Sequence, residues 1–527
     1  MNYISNIDIQ TRLAEIVGTG SIINEPESLT FFSTDLEGSG VTTSAVVRVA
    51  STEELSRVLT VCDVLNYVAI PRGGGFSYTG GYTPVAQNSI TIDLRGIDQI
   101  YEINEDDMYV RVGCGCTWRN LYEALKAKGF RTPYYGPMSG YNATIGGALS
   151  QGSFFLGSTE YGTIAESVLS LEMVLANGDV IHTGSDSAKG TAPFYRNYGP
   201  DLTGLFVADT GALGFKAVAT LKLIRFPQHQ AYGSFAFETG EQTVAALSEI
   251  GRAGLAAEAY AWDPYFVKVM SEASVSTGQD IQFLWGAIRN GAGLIDGLSA
   301  GLRIALAGKK VFKPGTHIIQ IMIDDHSAAG AAQRLKQVRK IAMANGATEL
   351  APSIPRATRG TPFTNFNVAE RRTTLRNLPT NALFTHSRAP AALEAMRALF
   401  EEHKASIKQY GMEIGLVFFA VGKNAMAIEP LFYWHDPQQY LHNRIEQRSD
   451  LDALVGFVDR PDATTFAHEL RSQLKAVMQE HGAVHVQIGK AYNYLDTREL
   501  RLAQLLKDIK TSVDPKNHIN PGSLGLK

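Results

Sequence analysis

The glycine-rich segment at residues 73–81 constrains the fold of this chain more than any other feature. It holds five glycines in nine residues and follows Tyr67–Pro71, which has the pattern of a buried strand. Glycines remove side chains where backbone N–H groups approach another group closely, and successive exposed N–H groups form an anion-binding concavity. A plain surface turn, the alternative, needs only one or two glycines. The segment therefore predicts a phosphate cradle, with a pyrophosphate as its natural occupant.

The sequence around this loop excludes the two commonest nucleotide-binding motifs. A dinucleotide fingerprint continues directly into a helix, whose N-terminus binds the phosphate. Here Pro84 and then a strand-like run at 89–94 follow the loop, and the Gly-Lys-Ser/Thr of a Walker loop is absent. Two further segments rich in small residues, 136–150 and 209–214, suit a backbone wrapped against a flat ligand. Close strand packing is the alternative for the first of them.

Local patterns predict an α+β protein of two domains. Ser51 and Glu54 have the spacing of a capping box before an apolar helical stripe, and Asn177-Gly178 is a strong hairpin signal. After Pro227 the helical patterns become longer. We predict a first domain made from both chain ends, residues 1–227 and 480–527, and a second domain over residues 228–479.

Composition narrows the class of protein. The length of 527 residues is too great for one core, and a net charge of −4 without a basic cluster argues against nucleic acid as the main partner. The three cysteines imply no disulfide framework, and the pair Cys114 and Cys116 lacks two further soft ligands for a metal. There is no secretory signal, and the most apolar region, 282–313, is interrupted by charges, so we predict a cytoplasmic protein without a transmembrane segment.

Five segments together resemble the FAD-linked oxidases of the vanillyl-alcohol oxidase and p-cresol methylhydroxylase superfamily. They are PRGGGFSYTGG, ATIGGALSQG, TEYGTIAESVLSLEMVLANGDVI, GLFVADTGALGF and the terminal VDPKNHINPGSLGL, in the family's order. The resemblance covers about 1–226 and 480–527, and the middle of the chain matches more loosely. It implies a PCMH-type FAD-binding domain and a cap domain whose antiparallel sheet covers the isoalloxazine ring.

The resemblance also implies which residues hold FAD. The loop from Arg72 to Ser77 would bind the pyrophosphate, and backbone near Val180 and the chain end at Asn520 and Pro521 would lie near the cofactor. The complete set of implied cofactor residues is Pro71, Arg72, Gly73, Gly74, Gly75, Phe76, Ser77, Gly136, Pro137, Ser139, Thr144, Gly146, Gly147, Ser150, Gly152, Gly162, Leu213, Gly214 and Asn520.

Departures from the family pattern bear on mechanism. Family members that attach FAD to a histidine carry it where this chain has Phe76, or near Met426 and Ala427, so we predict non-covalent FAD. The aspartate that phenol oxidases place near flavin N5 corresponds to Thr163. Their phenolate-binding tyrosine–arginine pair falls near Val484 and His485, whereas one tyrosine of that site matches Tyr78. The metal-binding Asp-Gly-Asn-x-His segment of the hydroxy-acid dehydrogenases is absent, and we predict no metal.

Residue chemistry supplies candidates for handling the substrate. The predicted catalytic residues are His485, Tyr78, His435, Gln487 and Lys490. A neutral histidine is able to take a hydroxyl proton, and GAVHVQIGK, which contains His485, has the pattern of a strand. A structural histidine is the alternative there, as ordinary core is for the aromatic cluster around His435. Tyr492 and Tyr494 are weaker candidates, and Arg371 or Arg372 would suit a carboxylate substrate.

Together these features predict an FAD-dependent oxidase or dehydrogenase acting on a hydroxyl-bearing small molecule, with a phenolic or other aromatic alcohol as first choice. Three alternatives stay open: a flavin dehydrogenase of a 2-hydroxy acid, a non-catalytic flavin-binding protein, and a non-redox use of the fold as in ether-lipid synthesis. The electron acceptor would be oxygen, a quinone or a redox protein. The sequence leaves homodimerisation open.

Overall fold

The computed structural model describes residues 6–35, 37–273, 315–363, 375–435 and 460–526. Helices and strands both occur along the whole described chain and most strand pairs are antiparallel, which confirms the α+β class. The apolar region 282–313 and the basic pair at 371–372 lie outside the described residues. Within the described ranges, no helix is both long enough and apolar enough to cross a membrane.

A four-stranded sheet delivers the glycine-rich loop. Its strands are β1 (Ile22–Ile23), β2 (Ala45–Arg48), β3 (Val68–Arg72) and β4 (Ser89–Asp93), in the order β1-β2-β4-β3. β2 and β3 both run parallel to β4, which requires the crossover helix Thr52–Leu65 between them. Ser51 caps that helix by accepting a hydrogen bond from the Glu54 N–H at 3.1 Å, as predicted. β3 is buried along its length and ends at the loop.

The next seven strands build a five-stranded antiparallel sheet and a separate two-stranded one. They are β5 (Ile100–Asn104), β6 (Tyr109–Gly113), β7 (Phe130–Arg131), β8 (Val168–Val174), β9 (Val180–His182), β10 (Phe215–Lys222) and β11 (Ile224–Arg225). The sheet order is β5-β6-β10-β8-β9, and β7 pairs separately with β11. The predicted hairpin at Asn177-Gly178 joins β8 to β9, with Gly178 in the left-handed region at φ 89°.

A third, eight-stranded sheet forms the middle of the chain. Its strands are β12 (His229–Phe237), β13 (Glu258–Trp262), β14 (His317–Asp325), β15 (Thr348–Leu350), β16 (Leu375–Pro379), β17 (Ala382–Phe384), β18 (Glu413–Val421) and β19 (Ala425–His435). The order is β15-β12-β14-β13-β18-β19-β16, and β17 also pairs with β19. The predicted domain boundaries at 227 and 479 remain a prediction.

The helices pack mainly around these sheets. Their bounds are Asn6–Val17, Pro26–Phe32, Thr52–Leu65, Trp118–Ala127, Ile145–Gln151, Ser158–Tyr161, Ile164–Ser167, Leu202–Leu205, Gly240–Ala253, Pro264–Ala273, Ala328–Ala344, Ser353–Gly360, Ala389–Glu402, Lys404–Gln409, Pro461–Glu480 and Leu500–Val513. The helical pattern predicted over 390–410 is two helices, because the chain breaks at His403.

Alternation along the strands gives the third sheet two buried faces. Phe418, Ile428 and Phe432 point to one face and pack against helices such as Gly240–Ala253. Tyr260 and its neighbours on the other face join a core that includes Trp118, Leu149 and other side chains of the first 226 residues. The second face of this sheet therefore closes over the glycine-rich part of the chain.

Buried ion pairs connect that second face to the same region. Arg131 of β7 donates from Nη2 to Asp324 Oδ2 of β14 at 2.7 Å. Arg359 donates from Nη2 to Glu258 Oε2 at 2.7 Å and to Asp324 Oδ1 at 3.1 Å. The Tyr135 hydroxyl donates to Glu258 Oε1 at 2.7 Å. Four charges neutralise each other here, so the contact between sheet and glycine-rich region has a defined register.

One predicted strand is wrong. The segment GAVHVQIGK around His485 is irregular, and its one bridge to a neighbouring strand pairs Val484 with Leu383. Gly482, Gln487 and Gly489 have φ values of 79°, 57° and 57°, in the left-handed region. A chain that enters this region repeatedly does not maintain the extended pairing that its apolar alternation suggested.

Candidate active site

The glycine-rich loop lies against a second small-residue segment. A Cβ added to Gly73 would overlap Thr144 Oγ1, and one added to Gly74 would overlap the Asn142 carbonyl oxygen. Gly75 has φ +81°, and a Cβ there would meet the Arg72 guanidinium. The loop is thus compressed between Arg72 and residues 142–144, where only glycine fits. Gly73, Gly74, Gly75 and Phe76 nevertheless keep partly accessible surface, as a ligand cradle requires.

Arg72 fixes the base of this cradle. Its side chain is buried, and Nη1 donates to the Thr34 carbonyl at 2.8 Å. Nη2 is also buried and has no hydrogen-bond partner among the described residues. A buried guanidinium N–H without an acceptor costs about 1–3 kcal/mol, and more for a charged group, so it indicates a missing anionic ligand. A pyrophosphate oxygen fits this position.

The second wall is the short helix Ile145–Gln151. Thr144 Oγ1 accepts the Gly147 N–H at 3.2 Å, and the Gly146 N–H donates to the Cys114 carbonyl at 2.8 Å. A Cβ on Gly146 would overlap Cys114, so glycine is required for this contact. Cys114 and Cys116 are buried free thiols, and burial raises the pKa of each to about 12. The cysteine pair therefore serves packing.

The third small-residue segment closes on the same helix. The Thr210 N–H donates to the Ser150 carbonyl at 2.9 Å, and the Ala208 N–H donates to the Leu149 carbonyl at 2.8 Å. Leu213 and Gly214 are buried and lead directly into β10. Gly152 ends the helix in a left-handed conformation at φ 63°.

The remaining predicted cofactor positions lie further around this wall. Gly136 contacts the side chains of Phe363 and Trp118, while Gly162 lies beside Glu166. Thr163 Oγ1 donates to Glu166 Oε2 at 2.8 Å at the start of the helix Ile164–Ser167. The assignment of these positions to FAD remains a prediction.

Gln151, at the end of the helix, was not among the predicted residues. Its side-chain oxygen and nitrogen are both buried and make no hydrogen bond of normal geometry within the described residues. Its Nε2 lies near Gly81, and its backbone carbonyl accepts the Gln487 N–H at 3.1 Å. The Tyr82 hydroxyl interacts with this amide. The hydrogen-bonding capacity that the amide still has fits the polar edge of a flat heterocycle such as isoalloxazine.

The end of the chain completes the loop. Asn520 donates from Nδ2 to the carbonyls of Gly81 and Thr210, at 2.8 Å each. Lys490 Nζ donates to the Thr83 carbonyl at 2.7 Å and to Asn520 Oδ1 at 3.1 Å. Burial lowers the pKa of Lys490 to about 8. The structure therefore brings the predicted residues Lys490 and Asn520 together beside the glycine-rich loop.

Asn381 connects the third sheet to the segment that holds His485. Its backbone N–H donates to the Tyr492 hydroxyl at 3.0 Å, and its carbonyl accepts from His485 Nδ1 at 2.9 Å. With its side-chain nitrogen oriented toward Glu429 of β19, that nitrogen lies 2.8 Å from Oε1 and 3.3 Å from Oε2. The His485 ring stacks on Tyr492 with centroids 4.4 Å apart.

Glu429 is the most unusual titratable group in this region. It lies on β19 between Ile428 and Pro430, and it keeps partly accessible surface. Desolvation nevertheless raises its pKa to about 7. The carboxyl is therefore desolvated by its surroundings although the residue keeps some accessible surface. Buried acids with a pKa near the working pH are typical of catalytic sites.

Tyrosines surround this carboxyl. Burial raises the pKa of Tyr433 well above its usual value, and Tyr265, Tyr78 and Glu429 raise it further. The Tyr265 and Tyr433 rings lie 5.3 Å apart. The Tyr78 carbonyl accepts from Arg471 Nη2 at 3.2 Å. Tyr433 thus interacts electrostatically with the loop tyrosine predicted from the sequence and with Tyr265 and Glu429, which were not predicted.

Burial lowers the pKa of His485, so the ring is neutral at pH 7. Because a carbonyl only accepts, Nδ1 carries the proton and Nε2 is an acceptor. His435 ends β19 opposite Leu375, and its side chain lies outside the described residues. Within the described ranges, no group of three or more His, Cys, Asp or Glu side chains is placed to hold a metal.

Of the site residues that the sequence analysis did not predict, only those on β19 had a recognisable sequence pattern, and that pattern was weak. Glu429 and Tyr433 belong to AMAIEPLFYW, where alternate positions point to one face of a strand. A glutamate inside such an apolar run requires a reason to be buried. Asn381 and Gln151 gave no signal, because each depends on contacts distant in sequence.

Comparisons with known proteins agree with this geometry. A family model described as an FAD binding domain matches residues 43–184. Glycolate oxidase subunit GlcD of Bacillus subtilis (strain 168) is 36% identical over 184 residues, which is 35% of this chain and 37% of that protein. The chain spans a third to a half of the length of the curated relatives that it matches.

Two solved structures have the same fold. A p-cresol methylhydroxylase with substrate bound superposes with a TM-score of 0.73 at 16% identity, covering 99% of this chain and 97% of that one. An alkyldihydroxyacetonephosphate synthase gives 0.69 at 16% identity, covering 99% and 85%. The glycine-rich cradle and the matched domain both point to FAD as the cofactor, and the chain has the fold of p-cresol methylhydroxylase with an FAD binding domain over residues 43–184.

Proposed function

We propose that this protein is an FAD-dependent oxidoreductase that oxidises a hydroxyl-bearing small molecule, with a phenolic or other aromatic alcohol as the preferred class. The observation that carries the proposal is the group centred on Tyr433 of the third sheet, which interacts electrostatically with Tyr78 of the glycine-rich loop and with Glu429. It combines aromatic walls with a proton acceptor next to the region that fits the flavin.

The chain's own residues divide the work. Arg72 and the loop amides would bind the pyrophosphate, and Gln151 would hydrogen-bond the polar edge of the ring system. Bound FAD supplies hydride acceptance. Tyr78 and Tyr433 would orient an aromatic substrate, since both are phenols with hydroxyl donors on partly accessible rings.

Non-covalent binding of FAD belongs to the same proposal. Phe76 offers no nucleophile, and Met426 and Ala427 are fully buried in β19. Acid precipitation of the purified yellow protein is expected to release the colour into the supernatant. Colour that stays in the pellet would show a covalent link and contradict this part of the proposal.

A second candidate substrate class is a 2-hydroxy acid, favoured by the similarity to the glycolate oxidase subunit. A carboxylate substrate needs a cation, and two cations near this site within the described residues are engaged. Arg471 Nη1 donates to Glu37 Oε1 at 2.7 Å, and Lys490 is bound by Thr83 and Asn520. A carboxylate would have to displace one of these contacts, which makes this class the weaker fit.

Anaerobic stopped-flow mixing separates the two classes. The oxidised protein is mixed with 4-hydroxybenzyl alcohol or with D-lactate, and the loss of flavin absorbance near ~450 nm is followed. Rapid bleaching by the phenolic alcohol supports the first choice, and bleaching by lactate alone supports the second. If neither class of compound reduces the flavin, oxidation of hydroxyl compounds is refuted. Flavin binding without redox chemistry, or the non-redox use of the fold, then becomes the better description.

The acceptor is found by repeating turnover in air and with a quinone under nitrogen. Hydrogen peroxide production in air would identify an oxidase. Turnover that depends on added quinone or another redox partner would identify a dehydrogenase.

A further inference from the structure

The surroundings of Glu429 fix the position of its carboxyl through a neutral amide. It sits near the middle of β19, whose backbone pairs with β18 on one side and with β16 and β17 on the other. The strand is therefore fixed from both edges. Alternation places Glu429 on the face of Leu431, which belongs to the core shared with the first 226 residues. The carboxyl points at the glycine-rich region and away from the helices.

Asn381 holds this carboxyl. It lies between β16 and β17, and both strands pair with β19, so its backbone is anchored close to Glu429 on both sides. The neighbouring Thr380 N–H donates to the Pro430 carbonyl at 2.9 Å. The Asn381 amide faces one edge of the carboxyl at 2.8 Å. A neutral amide orients a carboxylate and leaves it basic, unlike a cation that would hold it ionised.

We propose that Glu429 accepts the hydroxyl proton of the substrate and that Asn381 is the residue that positions it. This inference rests on the proposed function and names the base that the function requires. In the step, the substrate O–H bond breaks and its proton goes to a Glu429 carboxylate oxygen, which becomes a carboxylic acid. The substrate C–H bond breaks and the carbon–oxygen bond becomes a carbonyl, and bound FAD would accept the hydride with its two electrons.

His485 is the competing base, and the two differ in proton affinity. Burial and the charges of Lys475 and Arg471 lower the pKa of His485 below its usual value near 6.5, whereas desolvation raises that of Glu429 to about 7. A base works best when its pKa lies near the operating pH. Two titratable groups interact with Glu429 directly, Tyr433 on its own strand and Tyr492 on the segment that holds His485. The charged and titratable neighbours of those two tyrosines are Tyr265, Tyr78, Asp263 and Arg471.

The same arrangement selects the charge of the substrate. A carboxylate next to an ionised Glu429 would be repelled and would raise the pKa of Glu429 further. A neutral hydroxyl compound meets no such cost. The surroundings of Glu429 are therefore suited to substrates without a carboxylate near the reacting carbon.

The test uses Glu429→Gln in the FAD-loaded protein, with Asp263→Asn as the matched control. Asp263 is another buried carboxyl of the third sheet with a pKa raised to about 6, and its Oδ1 accepts the Phe266 N–H at 3.0 Å. The first readout is the pH dependence of flavin reduction by 4-hydroxybenzyl alcohol under anaerobic conditions. The second needs no turnover: an infrared titration of the protonated carboxyl band, assigned to Glu429 by its loss in Glu429→Gln.

We expect Glu429→Gln to keep its FAD and to slow flavin reduction by about 10²- to 10⁴-fold. The wild-type rate should fall as pH drops through about 7, and the infrared band should titrate over the same range. Asp263→Asn should keep both the wild-type rate of flavin reduction and the pH step, which is the fall of that rate as the pH drops through about 7. If Glu429→Gln fails to fold, Glu429→Asp, which retains the acid one methylene further back, should keep the step and lose rate.

Four results overturn the inference. Wild-type rate and an unchanged step in Glu429→Gln would show that another group takes the proton, and a step well below 6.5 would point to His485. A carboxyl band that titrates near the ordinary glutamate value of ~4.3 would remove the basis for choosing Glu429. If no hydroxyl compound reduces wild-type flavin, the proposed function fails and this inference falls with it. That outcome is distinct from an active wild type with an equally active variant.

Discussion

The glycine at position 74 provides a quantitative test of the FAD cradle. Gly74→Ala adds one Cβ, which would overlap the Asn142 carbonyl oxygen, a backbone atom that has no rotamer by which to move away. Overpacking of this kind costs about 1–3 kcal/mol. Relief requires the loop to move outward from residues 142–144, which displaces the amides that would bind the pyrophosphate.

If this cost falls on the FAD-bound state, FAD affinity should decrease by about 5- to 150-fold, since 1.4 kcal/mol corresponds to about tenfold. The assay is titration of the apoprotein with FAD, followed by quenching of flavin fluorescence. Gly20→Ala is the control, because an added Cβ at Gly20 has no neighbour within 4 Å. Urea unfolding of both apoproteins separates lost affinity from lost stability.

The reasoning is refuted if Gly74→Ala binds FAD as tightly as wild type does. It is also refuted if Gly20→Ala weakens binding equally. A Gly74→Ala apoprotein that is less stable but binds FAD normally would show that the glycine serves packing alone.

Three further predictions concern stability and reactivity. The pKa of Glu429 is raised to about 7 in the folded protein, whereas the same group in the unfolded chain loses its proton near ~4.3. The free energy of unfolding therefore falls as the pH rises from ~4.3 to about 7. Glu429→Gln should therefore stabilise the apoprotein at pH 8 by up to about 3 kcal/mol and by much less at pH 4.5, measured by urea unfolding; an equal effect at both pH values would contradict the raised pKa. Arg359→Met leaves Glu258 and Asp324 with an uncompensated buried charge and should cost about 3–5 kcal/mol in the same assay, whereas a loss below 1 kcal/mol would show that the cluster is solvated. A thiol reagent should modify none of the three buried cysteines of the folded protein, which are Cys62, Cys114 and Cys116. Rapid reaction at pH 8 without denaturant would refute their burial.

Features set by short-range physics were predictable from the sequence. The Ser51 cap, the Asn177-Gly178 hairpin and the strand that delivers the glycine loop each depend on a few neighbouring residues, and the structure contains all three. The contact between the loop and residues 142–144 followed from the shared excess of small residues. The PCMH-type fold followed from segments whose order resembles the family.

Features set by tertiary contacts were not predictable in the same way. The apolar residues of the GAVHVQIGK segment alternate as in a strand, but left-handed backbone at Gln487 and Gly489 interrupts the extended conformation. A glutamine in the sequence does not predict a left-handed residue. The raised pKa of Glu429 depends on burial by other elements, and its orientation depends on the amide of Asn381. Only the fold reveals that these groups meet Tyr78.

The hydrogen bonds from Asn520 to Gly81 and Thr210 have a consequence for biogenesis. The Gly81 bond spans 439 residues of sequence, so it forms only after nearly all of the chain that separates its partners has left the ribosome. Contacts so distant are slow to form, because the chain must first close a very large loop. We therefore expect flavin uptake to be a late event in maturation, and nascent chains that stop short of Ile519 to emerge colourless even when their N-terminal sheets have folded.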